Sequence, residues 1–233
     1  MSCRLILGDR TYSSWSPRIW LPVDRFGLPV RTGFLSFAAA PVAQQVADHA
    51  PARTVPLLLT PDGPVWDSLA IAEELAQRFS ADLWPAAPAG RAMARSLAAE
   101  THAGFAALRQ HCPMNLRRAC ADMPVPAAVA DVLARIDAIW CHALARCGGG
   151  DGWLCGACSV ADASFAPVAA RIAGYGLAVS PVAAAYVDRH LGEPSFRRWR
   201  VAALAETETP ARYALPYRQV PWPNHPAAPV NDT

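Results

Sequence analysis

Near residue 80 the chain stops alternating between strand-length and helix-length patterns and turns wholly helical, which restricts it to two parts in a fixed order. Before that point residues 3–7 form a short apolar run, and a loop over 8–14 follows. Ser16 suits a helix N-cap and Pro17 the first helical position, where no N–H donor is needed. Ile19, Trp20, Val23 and Phe26 then recur at helical spacing, with Pro22 as an interior kink and Gly27 as a stop. Residues 28–37 read as a second strand, 38–49 as a weaker helix, and 55–59 as a third strand with a proline near its start. A Pro61-Asp62-Gly63 turn, a short strand and an Asp67 N-cap lead into a helix whose buried face is Ala72, Leu75, Ala76 and Phe79. The order βαβ then ββα predicts a small mixed sheet with helices packed on it.

A proline-bearing linker spans 83–90. From 91 to about 204 only helical signals occur, including alanine-rich stretches at 91–111 and 126–147, a Ser159-x-x-Asp162 capping box and a Ser180-Pro181 helix start. The expected organisation is an α/β domain over 1–80 and an all-helical domain over 90–205. A proline-rich tail over 206–233 is expected to lie extended on the surface.

Composition removes several classes of function. With 53% hydrophobic and 17% charged residues the chain is a packed globular protein. A net charge of +2 gives no basis for a nucleic-acid or membrane-surface partner. Every one of the 21 basic residues is arginine, so Schiff-base chemistry is excluded and a bound anion must be met by arginine, hydroxyls or backbone N–H groups. No apolar run approaches the ~18 residues of a spanning helix, and the run at Leu5 is interrupted too early for a signal peptide. Seven scattered cysteines are then expected to be reduced thiols in a cytoplasmic protein.

Three segments carry chemistry. Tyr12-Ser13-Ser14-Trp15-Ser16-Pro17-Arg18 is a hydroxyl-rich loop that empties into a helix N-terminus. Such a site either caps the helix or holds an anion, and a thiolate there has its pKa lowered from about 8.5 to roughly 3.5–7.5. Thr54-Val55-Pro56 is either an edge-strand proline or a cis-proline that leaves the Val55 backbone free to pair with an added peptide. Val65-Trp66-Asp67-Ser68 is either an ordinary N-cap or a place for an α-carboxylate on Ser68 and an α-ammonium on Asp67.

Taken together, in this order and followed by a linker and a Ser-x-x-Asp helix, these segments resemble the cytosolic glutathione transferases over about residues 3–205. The serine loop is most similar to that of the zeta class. The resemblance implies a thioredoxin-like N-terminal domain that binds glutathione and an all-α C-terminal domain that covers it. It implies Ser13, with Ser14 as its neighbour, as the hydroxyl on the glutathione sulfur. Val55, preceding a cis Pro56, would pair with the cysteinyl backbone, Asp67 and Ser68 would hold the γ-glutamyl end, and Arg53 would lie near the tripeptide, with Gln44 and Gln45 as weaker candidates. Trp15 stands where the zeta pattern has cysteine, which argues against zeta-type isomerase and omega-type thiol-transferase chemistry. Tyr12 does not match the early catalytic tyrosine of other classes.

In the helical part His102, Phe105 and Arg109 are spaced to share one face of the first long helix, which is either a half-exposed surface or the wall of a second-substrate pocket that Met114 and Asn115 close. Cys155 and Cys158 lack the strand context of a redox pair and the second ligand pair of a zinc site. The expectation is a homodimeric, detoxifying transferase that adds the glutathione thiolate to small, partly apolar electrophiles, with glutathione as cosubstrate and no other cofactor or metal. A glutathione-dependent isomerase or peroxidase, and a non-catalytic glutathione-binding protein, are the alternatives.

Overall fold

The computed structural model describes residues 3–149 and 151–223. Strands β1 (Arg4–Leu7), β2 (Arg31–Phe34), β3 (Leu57–Thr60) and β4 (Gly63–Trp66) form one sheet in the order β2-β1-β3-β4. Helix α1 (Pro17–Arg25) carries the chain back across the sheet, so β2 runs parallel to β1, from Arg4 opposite Arg31 to Leu7 opposite Phe34. The turn at Pro61-Asp62 makes β4 antiparallel to β3, and β3 is antiparallel to β1. Helix α3 (Ser68–Arg78) closes this thioredoxin-like unit.

Alternation along the strands divides the core. Leu5, Leu7 and Leu58 face α1 and α3 with Ile19, Ile71 and Leu75. Ile6 and Leu57 face the opposite way and pack with Val46, Ala52 and Val55. The run expected as a strand over 28–37 pairs over four residues, because β1 has only four to offer. Residues 38–49 contain a single turn, α2 (Val42–Gln45), and a 3₁₀ turn at Ala47–His49.

The second part is helical: α4 (Pro88–Ala103), α5 (Ala106–His111), α6 (Ala127–Cys147), α7 (Val160–Tyr175), α8 (Pro181–Gly192) and α9 (Pro194–Leu204). Helix α7 is its axle. Every residue from Val160 to Ile172 is buried, and the helix packs on α1 of the sheet unit as well as on α4 and α8. It is apolar all round rather than amphipathic because it has neighbours on all sides.

Two features depart from the sequence reading. A strand, β5 (Arg118–Ala121), interrupts the helical part and pairs antiparallel with β6 (Arg218–Pro221). Residues 206–223 therefore do more than lie extended on the surface. They fold back over the molecule, form a 3₁₀ turn at Ala211–Tyr213, and bury Trp222 against α7. Gly174 makes room for that ring: a Cβ there would meet Trp222 at 3.1 Å. The expected tail also includes residues 224–233, which lie outside the described residues.

Candidate active site

The loop before α1 is folded by its own hydroxyls. The Gly8 N–H donates to Ser16 Oγ at 2.9 Å, Ser13 Oγ donates to Ser16 Oγ at 2.8 Å, and the Ser16 N–H donates to Ser13 Oγ at 3.2 Å. Ser16 occupies the N-cap position, yet its side chain makes no capping bond to the helix. The expected side-chain cap is replaced by a tie back to Gly8, which fixes the loop against the end of β1. A side chain at Gly8 would meet the Phe37 ring at 2.5 Å, so this close approach requires glycine. Ser14 Oγ has no hydrogen-bond partner among the described residues and faces an open cleft.

That cleft, of about 370 Å³, lies between the sheet unit and the helices. Tyr12, Ser13, Ser14 and Trp15 form one wall, and Phe37, Thr54 and Val55 form the floor. Arg109, Met114 and Arg171 face them from the helical side, and Arg212 and Tyr213 complete the rim from the C-terminal segment. Val55–Pro56 is a cis bond, as expected, and so is Ala50–Pro51.

Asp67 and Ser68 are outside the cleft lining, and Asp67 is linked to its Trp15 wall through His102. Asp67, with φ at 77°, accepts from the Leu69 N–H at 2.8 Å. Its other oxygen lies 3.1 Å from His102 Nε2, and the His102 ring sits edge-on to Trp15 with centroids 5.1 Å apart. Ser68 is 4% exposed, and its hydroxyl has no partner among the described residues. A buried hydroxyl without a partner costs free energy unless a ligand engages it.

The structure redistributes the predicted second-substrate residues. Helix α4 ends at Ala103, Gly104 follows, and Phe105 takes φ 61° before α5 starts, so His102, Phe105 and Arg109 do not share a helix face. Phe105 is buried beside Phe165, His102 turns to Asp67, and Arg109 alone of the three lines the cleft. Met114 lines it as well, whereas the Asn115 side chain accepts the Arg117 and Arg118 N–H groups. Arg53 is exposed and outside the cleft lining, and Gln45 is occupied by the Ser36 and Ala40 carbonyls. Tyr12 contributes its ring, while its hydroxyl is bonded to Thr209 and Arg117.

Arg171, Arg212 and Tyr213 were not visible as site residues in the sequence. Arg171 is 4% exposed, and donates from Nε to the Cys112 carbonyl at 2.8 Å and from Nη1 to the Pro167 carbonyl at 3.2 Å. Arg18 is equally buried behind Trp15, with its guanidinium 4.1 Å from that ring. Burial, with Arg171 and Arg109 nearby, pushes Arg18 down to about 9, and burial together with Arg109 pushes Arg171 down to about 10. Both still carry their charge at neutral pH. Cys155 and Cys158 are free, and burial holds both up as thiols, Cys155 at about 12. Among the described residues no group of three or more His, Cys, Asp or Glu could hold a metal, and no helix is long and apolar enough to cross a membrane.

Residues 12–78, which contain the serine loop, Val55-Pro56 and Asp67-Ser68, match the model of the glutathione S-transferase N-terminal domain. Over those residues the chain is similar to the N-terminal domain of the glutathione S-transferases. The full transferase fold extends over the helical part. A glutathione transferase homolog from Burkholderia GL BGR1, solved with bound glutathione, superposes with a TM-score of 0.64 at 22% identity, covering 88% of this chain and 100% of that one. A theta class transferase from the citrus canker pathogen Xanthomonas axonopodis pv. citri, also with glutathione bound, gives 0.61 at 19% identity over 88% and 99%. The Omega 3C transferase of Trametes versicolor gives 0.65 at 17% over 89% and 91%. No curated protein sequence matches the chain.

Proposed function

We propose that this protein binds glutathione between Ser68 and Val55, ionises its thiol beside Ser13 and Ser14, and adds the thiolate to a small electrophile in the cleft. The observation that carries the reading is the arrangement of open hydroxyls. Ser68 is buried without a partner among the described residues, and Ser14 and Val55 both line the cleft. Asp67 has one oxygen on the helix backbone and the other toward His102, and each oxygen keeps a second lone pair with which to accept from an α-ammonium.

Catalysis in this reading is positioning plus stabilisation of charge at sulfur, without a covalent intermediate on the protein. Ser13 donates to Ser16, and a rotation about one side-chain bond would redirect its proton to a bound sulfur. Arg109 and Arg171 line the same cleft and Arg18 lies against Trp15, and their positive charge also favours the thiolate. The bound glutathiones of the Burkholderia and Xanthomonas structures support the assignment of ligand. By the same analogy the protein is read as a cytoplasmic two-fold dimer.

The test is retention on immobilised glutathione followed by conjugation of 1-chloro-2,4-dinitrobenzene. Retention with turnover is expected. Retention without turnover would leave a glutathione-binding protein that is not a transferase, and failure to bind would remove the reading altogether.

A further inference from the structure

The cleft carries three guanidinium groups and no carboxylate in its lining. Arg109 reaches in from α5, Arg171 from α7 and Arg212 from the C-terminal segment. Among the described residues none of the three guanidinium groups forms an ion pair with a carboxylate, and the nearby acids accept from other groups. Asp9 accepts the Phe37 N–H at 2.5 Å, and Glu206 accepts the Arg10 and Thr11 N–H groups at 2.9 Å each. Asp67 is divided between Leu69 and His102.

Uncompensated buried positive charge is costly, and the cost falls when an anion enters. Arg171 is the decisive member. Two carbonyls orient its Nε and Nη1, its side chain is almost wholly buried, and it still lines the open cleft. It cannot swing away to solvent as a surface arginine can. Arg109 is half-buried, with a long 3.4 Å bond to the Thr101 carbonyl and its guanidinium 5.7 Å from the Trp15 ring centroid. Arg212 lies 4.9 Å from the ring centroids of both Phe37 and Tyr213, which holds it over the rim. Trp15, Phe37 and Tyr213 supply flat apolar walls beside these charges.

We infer that the second substrate is an electrophile with a planar, apolar body that carries a carboxylate, held by Arg109, Arg171 and Arg212. This deepens the proposed function and rests on it. It also narrows the expected class of partly apolar electrophiles to anionic ones. Arginine suits the task because its fork matches a carboxylate bidentately. For an aryl chloride the step is a substitution. The glutathione sulfur bonds to the ring carbon, the carbon–chlorine bond breaks with its electron pair leaving as chloride, and the thiol proton passes to solvent.

The test uses a matched pair that differs in charge and little in shape. Binding of 4-methyl-3-nitrobenzoate and 4-methyl-3-nitrobenzamide, neither of which can be substituted, is measured by calorimetry on the full chain saturated with S-methylglutathione. The carboxylate should bind at least tenfold more tightly. Turnover of the 4-chloro analogues, each divided by its uncatalysed rate with glutathione, should show the same preference in kcat/KM. Arg109→Gln and Arg212→Gln should each reduce carboxylate affinity five- to twentyfold, with a loss at least threefold smaller for the carboxamide. Equal affinity for the pair in the loaded parent protein would overturn this inference alone. So would variants that weaken S-methylglutathione rather than the benzoate, since the arginines would then serve glutathione's own carboxylates. Failure of S-methylglutathione to bind would instead overturn the proposed function, and the two failures are read in separate titrations.

Discussion

The starts of α1 and α7 look alike in sequence and differ in what they leave unfinished. Each begins at a serine, and each surrounds that serine with polar groups beneath a packed helix. At α7 the side chains of Ser159 and Asp162 are fully answered. Asp162 accepts from the Ser159 N–H at 2.9 Å, the Ser159 hydroxyl at 3.2 Å, the Leu154 N–H at 3.1 Å and the Tyr186 hydroxyl at 2.8 Å, while Ser159 Oγ accepts from the Ala161 N–H. At α1 the hydroxyls of Ser13 and Ser16 satisfy one another and Ser14 is left open, with unpartnered Ser68 at the start of α3. A closed polar cluster stabilises the fold, and an open one is ready for a ligand. Burial does not separate them, since Ser13, Ser68, Ser159 and Asp162 are all buried.

The comparison is most directly broken at Asp162. Asp162→Ala leaves two backbone N–H groups and two hydroxyls without their acceptor inside the core. Loss of such a buried charged partner should cost about 3–5 kcal/mol, measured as a drop in urea unfolding free energy. A loss below about 1 kcal/mol would show that the cluster is not the structural clamp described, since even one buried group left unsatisfied costs about 1–3 kcal/mol.

Ser13→Ala should act on chemistry instead. A hydrogen bond to a charged group contributes about 1.5–3 kcal/mol, so the pKa of bound glutathione should rise by about one to two units. Turnover near neutral pH should then fall roughly ten- to a hundredfold and recover as pH rises. Thiolate absorbance against pH, read for Ser13→Ala and Ser14→Ala together, assigns the hydroxyl. A shift only in the Ser14 variant would move the role to the residue whose proton is already free.

Ser68→Ala sharpens the contrast from the other side. Its hydroxyl has nothing to lose within the protein, so unfolding free energy should stay the same or rise. Glutathione affinity should fall about tenfold, near the low end expected for a bond to a charged carboxylate. Loss of stability without loss of affinity would place Ser68 with the closed clusters.

Arg53→Ala should have the smallest effect. Its side chain is exposed and stands outside the cleft lining. A partly exposed arginine–carboxylate pair contributes about 0–1 kcal/mol, so affinity should drop fivefold at most. Calorimetry showing a larger loss would mean that the tripeptide extends past the cleft to that side chain.

What the sequence determined by itself was local. Strand-length apolar runs, a proline at the first helical position and the Ser-x-x-Asp box are read within a few residues, and they sufficed for the thioredoxin-like order of β1 to α3 and for the box at α7. The serine loop, Val55-Pro56 and Asp67-Ser68 were legible because glycine, proline and hydroxyl residues act on their own backbone. Tertiary structure decided what depends on distant partners. The helical pattern at 91–111 gave no sign that the chain breaks at Gly104, which turns Phe105 into the core and leaves Arg109 at the cleft. Arg171 sits among alanines in mid-helix, and only the packing of α7 against α1 brings it opposite a loop almost 160 residues earlier. Residues 206–223 read as a tail because β6 has no ladder until β5 is beside it, and that pairing delivers Arg212 and Tyr213 to the rim. A side chain shows its own chemistry in the sequence, but whether its hydrogen bonds and charge are already met is settled only when the chain has folded around it.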